Sequence, residues 1–158
     1  MSNGYLQVIS LVERLHRRFL EVVKHELVTQ GINDVSSVQA VMLFNIGDAE
    51  MTIGELITRD CYLGSNVSYN VKKMVENGYL AHERSAQDRR VVRVRLTEKG
   101  VALRDRLQTI YQRHAEMLKQ FAVTDEDLQG PIVTLDRIDR FWDGVPRADL
   151  RAGLVERE

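Results

Sequence analysis

The stretch YLAHERSAQDRRVVRVRL, residues 79–96, decides the fold, because apolar and polar residues alternate on both sides of a polar loop. A period of two is typical of β-strands, whereas apolar residues of a helix recur every three or four positions. The loop SAQDRR, residues 85–90, separates the two alternating runs. We therefore predict a two-stranded hairpin within an otherwise helical chain.

Three short helices are predicted ahead of this hairpin, each marked by residues that favour a helix start. The markers are Ser36 with Gln39 three residues on, Thr52 with Glu55 three residues on, and Gly64 with Ser65 ahead of NVSYNVKKM. In the first two, the Ser or Thr hydroxyl can accept a hydrogen bond from a backbone N–H of the first turn. The Gln or Glu side chain three residues on can accept one from the backbone N–H of that Ser or Thr. Asn77 and Gly78 then stop the last short helix.

Long amphipathic helices are predicted on both sides of this central segment. One opens the chain and ends near Gly31, and two more follow starts at Thr97 and Thr124. Their pattern-defining positions include Leu6, Ile9, Val12, Leu15 and Phe19, then Leu103, Leu107, Ile110, His114, Met117 and Phe121, then Leu128, Ile132, Leu135, Ile138 and Trp142. The chain is expected to be mainly α (α+β), with a helix over 1–32, a central domain over 33–98, further helices over 99–145 and a tail over 146–158.

Three helices followed by a hairpin is the order of a winged helix-turn-helix, in which the third helix enters the major groove of DNA and the hairpin forms a wing. The residues of that helix that fall on one face at 100° per residue are Val67, Val71, Met74 and Val75. The opposite side offers hydroxyl, aromatic and ammonium groups that can contact bases or phosphates. The candidate DNA contacts are Ser65, Asn66, Ser68, Tyr69, Lys72 and Lys73. The alternative is an ordinary solvated helix face.

Basic residues concentrate around the hairpin. Between positions 59 and 100, nine Lys or Arg stand against five Asp or Glu, although the formal net charge of the chain is only -1. Such sorting of charge is what binding to phosphates requires. The candidate contacts here are Arg89, Arg90 and Arg93, with Asp88 able to hold the Arg90 guanidinium extended toward a narrow minor groove. A charged hairpin that only promotes solubility is the alternative.

The run from Glu76 to Gly100 resembles the signature of the MarR family of bacterial transcriptional regulators. The matching features are a Gly after the third helix, a D-x-R turn and a V-x-LT-x-x-G close, here Gly78, Asp88, Arg90, Val94, Leu96, Thr97 and Gly100. The resemblance implies a homodimer whose first and last two helices interlock, with each winged helix on half of a palindromic operator in double-stranded DNA. It also implies that Arg90 enters the minor groove and that Asp88 orients it. Because the third helix is richer in Asn and Tyr than the family pattern, the operator sequence does not carry over.

The long helices favour the same dimer independently. Phe19, Phe121, Phe141 and Trp142 need a surface to bury them, and a second copy of the chain is the economical partner. An intramolecular bundle that covers these faces is the alternative.

The resemblance further implies a repressor that responds to a small, often aromatic effector bound between the DNA-binding lobe and the dimerisation helices. Polar residues on the long helices that could meet an acidic ligand are His16, Arg17, His25, Arg113 and His114. Ordinary surface or interface positions are the alternative for all five. The single cysteine, Cys61, lies away from the first helix, where the oxidant sensors of the family keep their thiol, and we expect it to be inert.

Several classes of protein are not expected. No nucleophile elbow, P-loop, dinucleotide loop or H-E-x-x-H motif occurs, and the four histidines show no ligand spacing, so neither an enzyme nor a metal or other cofactor is predicted. No run of about 18 apolar residues occurs, so a cytoplasmic protein without a membrane partner is expected. The remaining alternative is a winged-helix module for protein contacts, without sequence-specific DNA binding.

Overall fold

The computed structural model describes residues 3–59, 64–84 and 91–144. The described elements are α1 (Gly4–Thr29), α2 (Ser37–Ile46), β1 (Met51–Thr52), α3 (Ile53–Arg59), α4 (Gly64–Glu76), β2 (Leu80–Arg84), β3 (Val92–Leu96), α5 (Glu98–Gln120) and α6 (Asp125–Gly144). The mainly α fold with three helices ahead of a hairpin is therefore confirmed. The chain divides into two compact units, Met1–Tyr111 and Gln112–Glu158.

Hydrogen bonds confirm the predicted helix starts at Ser36, Thr52 and Thr97. Ser36 and Gln39 form a complete capping box, with the Gln39 N–H donating to Ser36 Oγ at 3.2 Å and the Ser36 N–H donating to Gln39 Oε1 at 3.0 Å. Thr52 and Glu55 exchange the same two bonds ahead of α3. At α5, the Gly100 N–H donates to Thr97 Oγ1 at 3.1 Å. Local residue chemistry thus determines where these helices begin.

The sheet has three strands, so the prediction of a two-stranded hairpin was incomplete. Its order is β1-β3-β2, with β3 antiparallel to both neighbours. Strand β1 consists only of Met51 and Thr52, which pair with Val94 and Arg93. Two residues are too few to show a period of two, and Thr52 also carries the signal that starts α3.

The core of the first unit lies between the sheet and the helices around it. Val67, Val71 and Met74 of α4 are buried, as are Val94 and Leu96 of β3. From α1 only Val23 and Leu27 are buried, whereas Leu6, Leu11, Val12 and Leu15 nearer its start are exposed. The predicted apolar face of α4 therefore packs against the core, with Val75 half-buried beside its three buried residues.

A close approach at the start of α5 requires a glycine. A Cβ added at Gly100 would lie 2.2 Å from the carbonyl oxygen of Tyr79 and 3.3 Å from the Leu96 side chain. The same carbonyl accepts bonds from the backbone N–H and the hydroxyl of Thr97, both at 3.1 Å. Gly100 therefore lets α5 begin directly against the turn that joins α4 to β2.

The second unit contains the end of α5 and the whole of α6. Phe121 was expected on α5, but the helix ends at Gln120, because Ala122 takes a left-handed φ of 57° and the Val123 N–H returns to the Leu118 carbonyl at 3.1 Å. Thr124 then caps α6 through Asp127. None of the residues of α6 is buried.

Candidate nucleic-acid interface

Helix α4 presents the predicted polar face to solvent. Asn66, Ser68, Tyr69 and Lys72 are exposed, and Tyr69 keeps 61% of its surface accessible. The Ser65 side chain lies outside the described residues. Burial of Val67, Val71 and Met74 holds the opposite face against the core, so the exposed set projects from a rigid element.

A buried glutamine fixes α4 relative to α2. Gln39 is 8% exposed, and its Nε2 donates to Asn70 Oδ1 at 3.1 Å while its Oε1 completes the cap of α2. Sequence reasoning identified Gln39 only as a capping residue. The added bond connects the start of α2 to the middle of the candidate recognition helix.

The two lysines of α4 share one carboxylate. Lys73 Nζ lies 2.9 Å from Glu76 Oε2, and Lys72 Nζ lies 4.0 Å from Glu76 Oε1. The hydrogen bond from Lys73 lowers the pKa of Glu76, and the same bond raises the pKa of Lys73. Glu76 therefore offsets the positive charge of Lys73 more strongly than that of Lys72, whose ammonium lies farther from the carboxylate and is the better placed of the two to meet an external phosphate.

The strands of the wing separate their charges onto two faces. Glu83 is opposite Arg93 in the register, and Glu83 Oε1 lies 3.5 Å from Arg95 Nη2, so the face that carries the two β3 arginines contains its own acid. His82 and Arg84 are opposite Val94 and Val92. Because cross-strand partners share a face, the His82 and Arg84 side chains lie on the side that packs toward α4.

A groove of about 370 Å³ lies between α4 and this inner face of the wing. We call it the wing–helix groove; its apolar residues are Ile53, Val71, Val75 and Val92, and its polar residues are Ser68, Lys72, Glu76, His82 and Arg84. Sequence reasoning did not select His82 or Arg84 as DNA contacts. In a hairpin with this register His82 and Arg84 lie opposite Val94 and Val92, and this pairing with apolar residues was the signal that could have identified them.

The tip of the wing carries the remaining predicted contacts. Asp88, Arg89 and Arg90 lie outside the described residues, as does Cys61. The roles assigned to the D-x-R turn therefore stay predictions from the sequence.

The five predicted effector residues lie on α1 and α5. His16, Arg17 and His25 are exposed on α1, and nine residues of helix separate the two histidines by about 13 Å. Arg113 and His114 belong to the second unit. The predicted effector site stays a prediction.

A second cavity, of about 270 Å³, lies beside Asp34, Tyr79 and Lys99. The Tyr79 hydroxyl donates to Asp34 Oδ1 at 2.6 Å, and Lys99 Nζ lies 2.7 Å from Asp34 Oδ2. The bond from Lys99, followed by that from Tyr79, lowers the pKa of Asp34, and burial raises the pKa of Tyr79. The cluster joins the α1–α2 connection to the turn after α4 and to the start of α5.

The residues that the structure describes contain no group of three or more His, Cys, Asp or Glu side chains arranged to hold a metal ion. Within the same residues, no helix has both the length and the apolar character needed to cross a membrane.

Comparison with known proteins matches the central segment to one domain family. Residues 35–100 match the winged helix DNA-binding domain. The chain is also 33% identical over 143 residues to the exopolysaccharide II synthesis transcriptional activator ExpG of Rhizobium meliloti, a match that covers 90% of this chain and 74% of ExpG. That overlap extends well beyond the winged helix into the long helices.

Solved structures show the same fold. FabT of Streptococcus pneumoniae in complex with DNA superposes with a TM-score of 0.70 at 20% identity, covering 88% of this chain and 97% of that chain. Staphylococcus aureus MarR in complex with salicylate and kanamycin superposes with a TM-score of 0.72 at 18% identity, covering 87% of this chain and 91% of that chain.

Proposed function

The chain belongs to the MarR family of winged-helix, DNA-binding transcriptional regulators, and we propose that it binds a palindromic operator as a homodimer and represses transcription until an effector releases it. The observation that carries the proposal is the exposed polar face of α4 beside a cationic wing. The proposed DNA contacts are Ser65, Asn66, Ser68, Tyr69, Lys72, Lys73, Asp88, Arg89, Arg90 and Arg93. We also propose a cytoplasmic location.

Exposed apolar surface on the outer helices supports the homodimer. On α1, Leu6 and Leu15 are 62% and 54% exposed, although both lie on an amphipathic helix. On α6, Ile132 and Trp142 are 55% and 43% exposed. Surfaces of this kind on each unit are typical of protein interfaces, and a second copy of the chain presents the same surfaces in return.

Replacing Leu15 by glutamate tests the dimer. An exposed carboxylate leaves the core of the first unit intact but cannot be buried between two chains. We expect a folded monomer by analytical ultracentrifugation that no longer binds the operator, while Glu13→Gln on the same helix stays dimeric. A wild-type protein that is monomeric and still fully active in DNA binding would refute the homodimer.

Gel-shift titration tests DNA binding. Labelled promoter DNA should shift in the presence of excess nonspecific DNA, and affinity should fall steeply with salt, because cations from two protomers displace condensed counterions. Retention of a partner protein but no shift with any duplex would favour the protein-interaction module instead.

The D-x-R turn is tested by a double-mutant cycle. Arg90→Ala should cost about 1 to 3 kcal/mol per half-site, by analogy with a good arginine contact. Asp88→Asn should cost less, and almost nothing further when Arg90 is already absent, because coupled residues are non-additive. Strictly additive losses would show that the two residues act independently.

Repression and effector binding are proposed by analogy with the family, and each has its own test. A promoter reporter, with and without the gene, distinguishes repression from the activation implied by the name of ExpG. Because S. aureus MarR was solved with salicylate, aromatic acids are the first ligands to titrate against the operator complex. If the predicted residues form the effector site, their alanine variants should still bind the operator, but the effector should no longer release them from it. These residues are His16, Arg17, His25, Arg113 and His114.

A further inference from the structure

We propose that the wing–helix groove holds a DNA phosphodiester, bound by Arg84, His82 and Lys72, and that His82 makes operator affinity depend on pH. This inference rests on the proposed operator binding and adds Arg84 and His82 to the contacts. The proposed phosphate site lies between α4 and the wing, which are the two elements proposed to enter the grooves of the DNA.

The path of the DNA backbone explains why a phosphate comes to this position. A recognition helix in the major groove and a wing in the neighbouring minor groove lie on opposite sides of one sugar–phosphate strand. That strand must cross the surface between the helix and the wing. In this chain that surface is the wing–helix groove, with Ser68 and Lys72 of α4 on one side and His82 and Arg84 of β2 on the other.

The charges of the groove fit an anion better than those of the other wing face. Across the sheet, Arg95 pairs with Glu83 at 3.5 Å, and Arg93 is opposite the same acid. Among the described residues, Arg84 forms no salt bridge within 4.0 Å. Among the described residues that line the groove, Glu76 is the one acid, and Lys73 Nζ lies 2.9 Å from its carboxylate. Arg84 and Lys72 therefore retain positive charge for a phosphate.

The apolar residues of the groove strengthen this contact. Ile53, Val71, Val75 and Val92 exclude water from one side of the site, and charges interact more strongly where the surroundings are less polar. A guanidinium also matches a phosphate with two parallel hydrogen bonds. Arg84 is accordingly the residue expected to contribute most.

His82 adds the dependence on pH. The charged groups around it are Lys72 and Glu76 on α4 and Arg84 on its own strand, while α3 and β3 contribute Ile53 and Val92. A bound phosphate favours the protonated imidazole, and imidazole is the side chain that normally changes charge between about pH 5 and 8. Affinity should therefore rise as the pH falls through this range.

Neutral phosphates in the operator test the contact directly. The probe is a fluorescent duplex carrying the site that the wild-type dimer selects from random DNA, with single methylphosphonates introduced at each backbone position in turn. At one position per half-site, the methylphosphonate should lower the affinity of the wild type roughly tenfold. The same methylphosphonate should hardly change the affinity of Arg84→Ala, because that variant already lacks the contact. Arg95→Ala is the matched control and should lose affinity additively at that position.

The pH series uses the same duplex. His82→Gln should bind about as wild type does at pH 8 and several-fold more weakly at pH 6, whereas His82→Arg should bind tightly at both values. A protein whose affinity rises at low pH equally with and without His82 would overturn the histidine role.

The outcomes separate this inference from the function on which it rests. If the wild type selects no duplex, operator binding itself fails. If the wild type binds but Arg84→Ala is additive with every methylphosphonate, only the groove contact fails. Inorganic phosphate is titrated in parallel, with the His82 ring signals in NMR as the readout; we expect binding weaker than about 1 mM. Tight, saturable binding of free phosphate without coupling to any DNA phosphate would assign the groove to a small anion instead.

Discussion

Helices α4 and α6 are both amphipathic, yet their apolar faces have different surroundings. In α4, Val67 and Met74 are completely buried within the first unit. In α6, which is longer, no residue is buried, and Ile132 and Val133 are both more than half exposed. Amphipathic spacing thus shows that a helix needs a partner, but it does not show whether that partner belongs to the same unit or to another molecule.

The largest effect should come from a cavity in the closed core. Leu107 is completely buried in the first unit, so Leu107→Ala should lower the free energy of unfolding by about 2 to 5 kcal/mol, measured by urea denaturation. Leu135→Ala on α6 is the matched variant, since Leu135 is 42% exposed. Its intrinsic cost should be below about 1 kcal/mol, and any further loss should depend on protein concentration. Equal losses in dilute, monomeric protein would remove the distinction between the closed core of the first unit and the exposed apolar face of α6.

A smaller effect is expected from a side chain added where α5 begins. Gly100→Ala would bring a Cβ against the Tyr79 carbonyl, and the resulting shift should cost about 1 to 3 kcal/mol. Gly54→Ala on α3 is the control, because its Cβ would meet only Thr52 Oγ1 at 3.8 Å. That change should be neutral or stabilising by up to about 1 kcal/mol, since alanine favours a helix. Thermal unfolding with matched heat-capacity terms measures both, and equal stability of the two variants would contradict the close approach.

The parts of the fold that could be predicted depend on residues close together in sequence. Capping pairs such as Ser36 with Gln39, the inward face of α4 and the alternation of β3 are all local patterns, and each is confirmed. Strand β1 was missed because its two residues pair with β3 across about 40 positions of chain. The end of α5 could not be predicted because the residue that takes the left-handed conformation there is Ala122, and the usual sequence signal for that conformation is a glycine.

The candidate site divides in the same way. The exposed residues of α4 follow from helical periodicity, but which charged side chains of the wing share a face depends on the register of its strands. Glu83 and Arg95 are distant in sequence and meet only because β2 and β3 pair as they do. The register of β2 and β3 also places His82 and Arg84 on the side of the wing that faces α4. A count of basic residues in the sequence located the wing, but it did not distinguish the two faces of the sheet.

The smallest effect on the free energy of unfolding is expected from two ion pairs, one at Asp34 in the first unit and one at Asp136 on α6. Asp34 joins Lys99 and Tyr79 from separate segments, but its side chain is 47% exposed, so Asp34→Asn should cost less than about 1 kcal/mol at neutral pH. The hydrogen bond from Lys99 lowers the pKa of Asp34 in the folded chain below its value of 3.8. Its stabilisation is therefore present above pH 3.8 and is lost as the pH falls through the lower, folded value.

The difference between wild type and Asp34→Asn should accordingly be constant from neutral pH to about pH 5 and disappear in stronger acid. Asp136→Asn is the control, because Asp136 pairs with Arg140 at 2.6 Å along the single helix α6 and both side chains are at least half exposed. Holding no separate segments together, that pair should contribute nothing measurable. Urea denaturation between pH 3 and 7 gives both differences. A contribution from Asp34 that grew toward acid, or a larger one from Asp136, would show that the cluster beside Tyr79 does not stabilise the first unit as its geometry predicts.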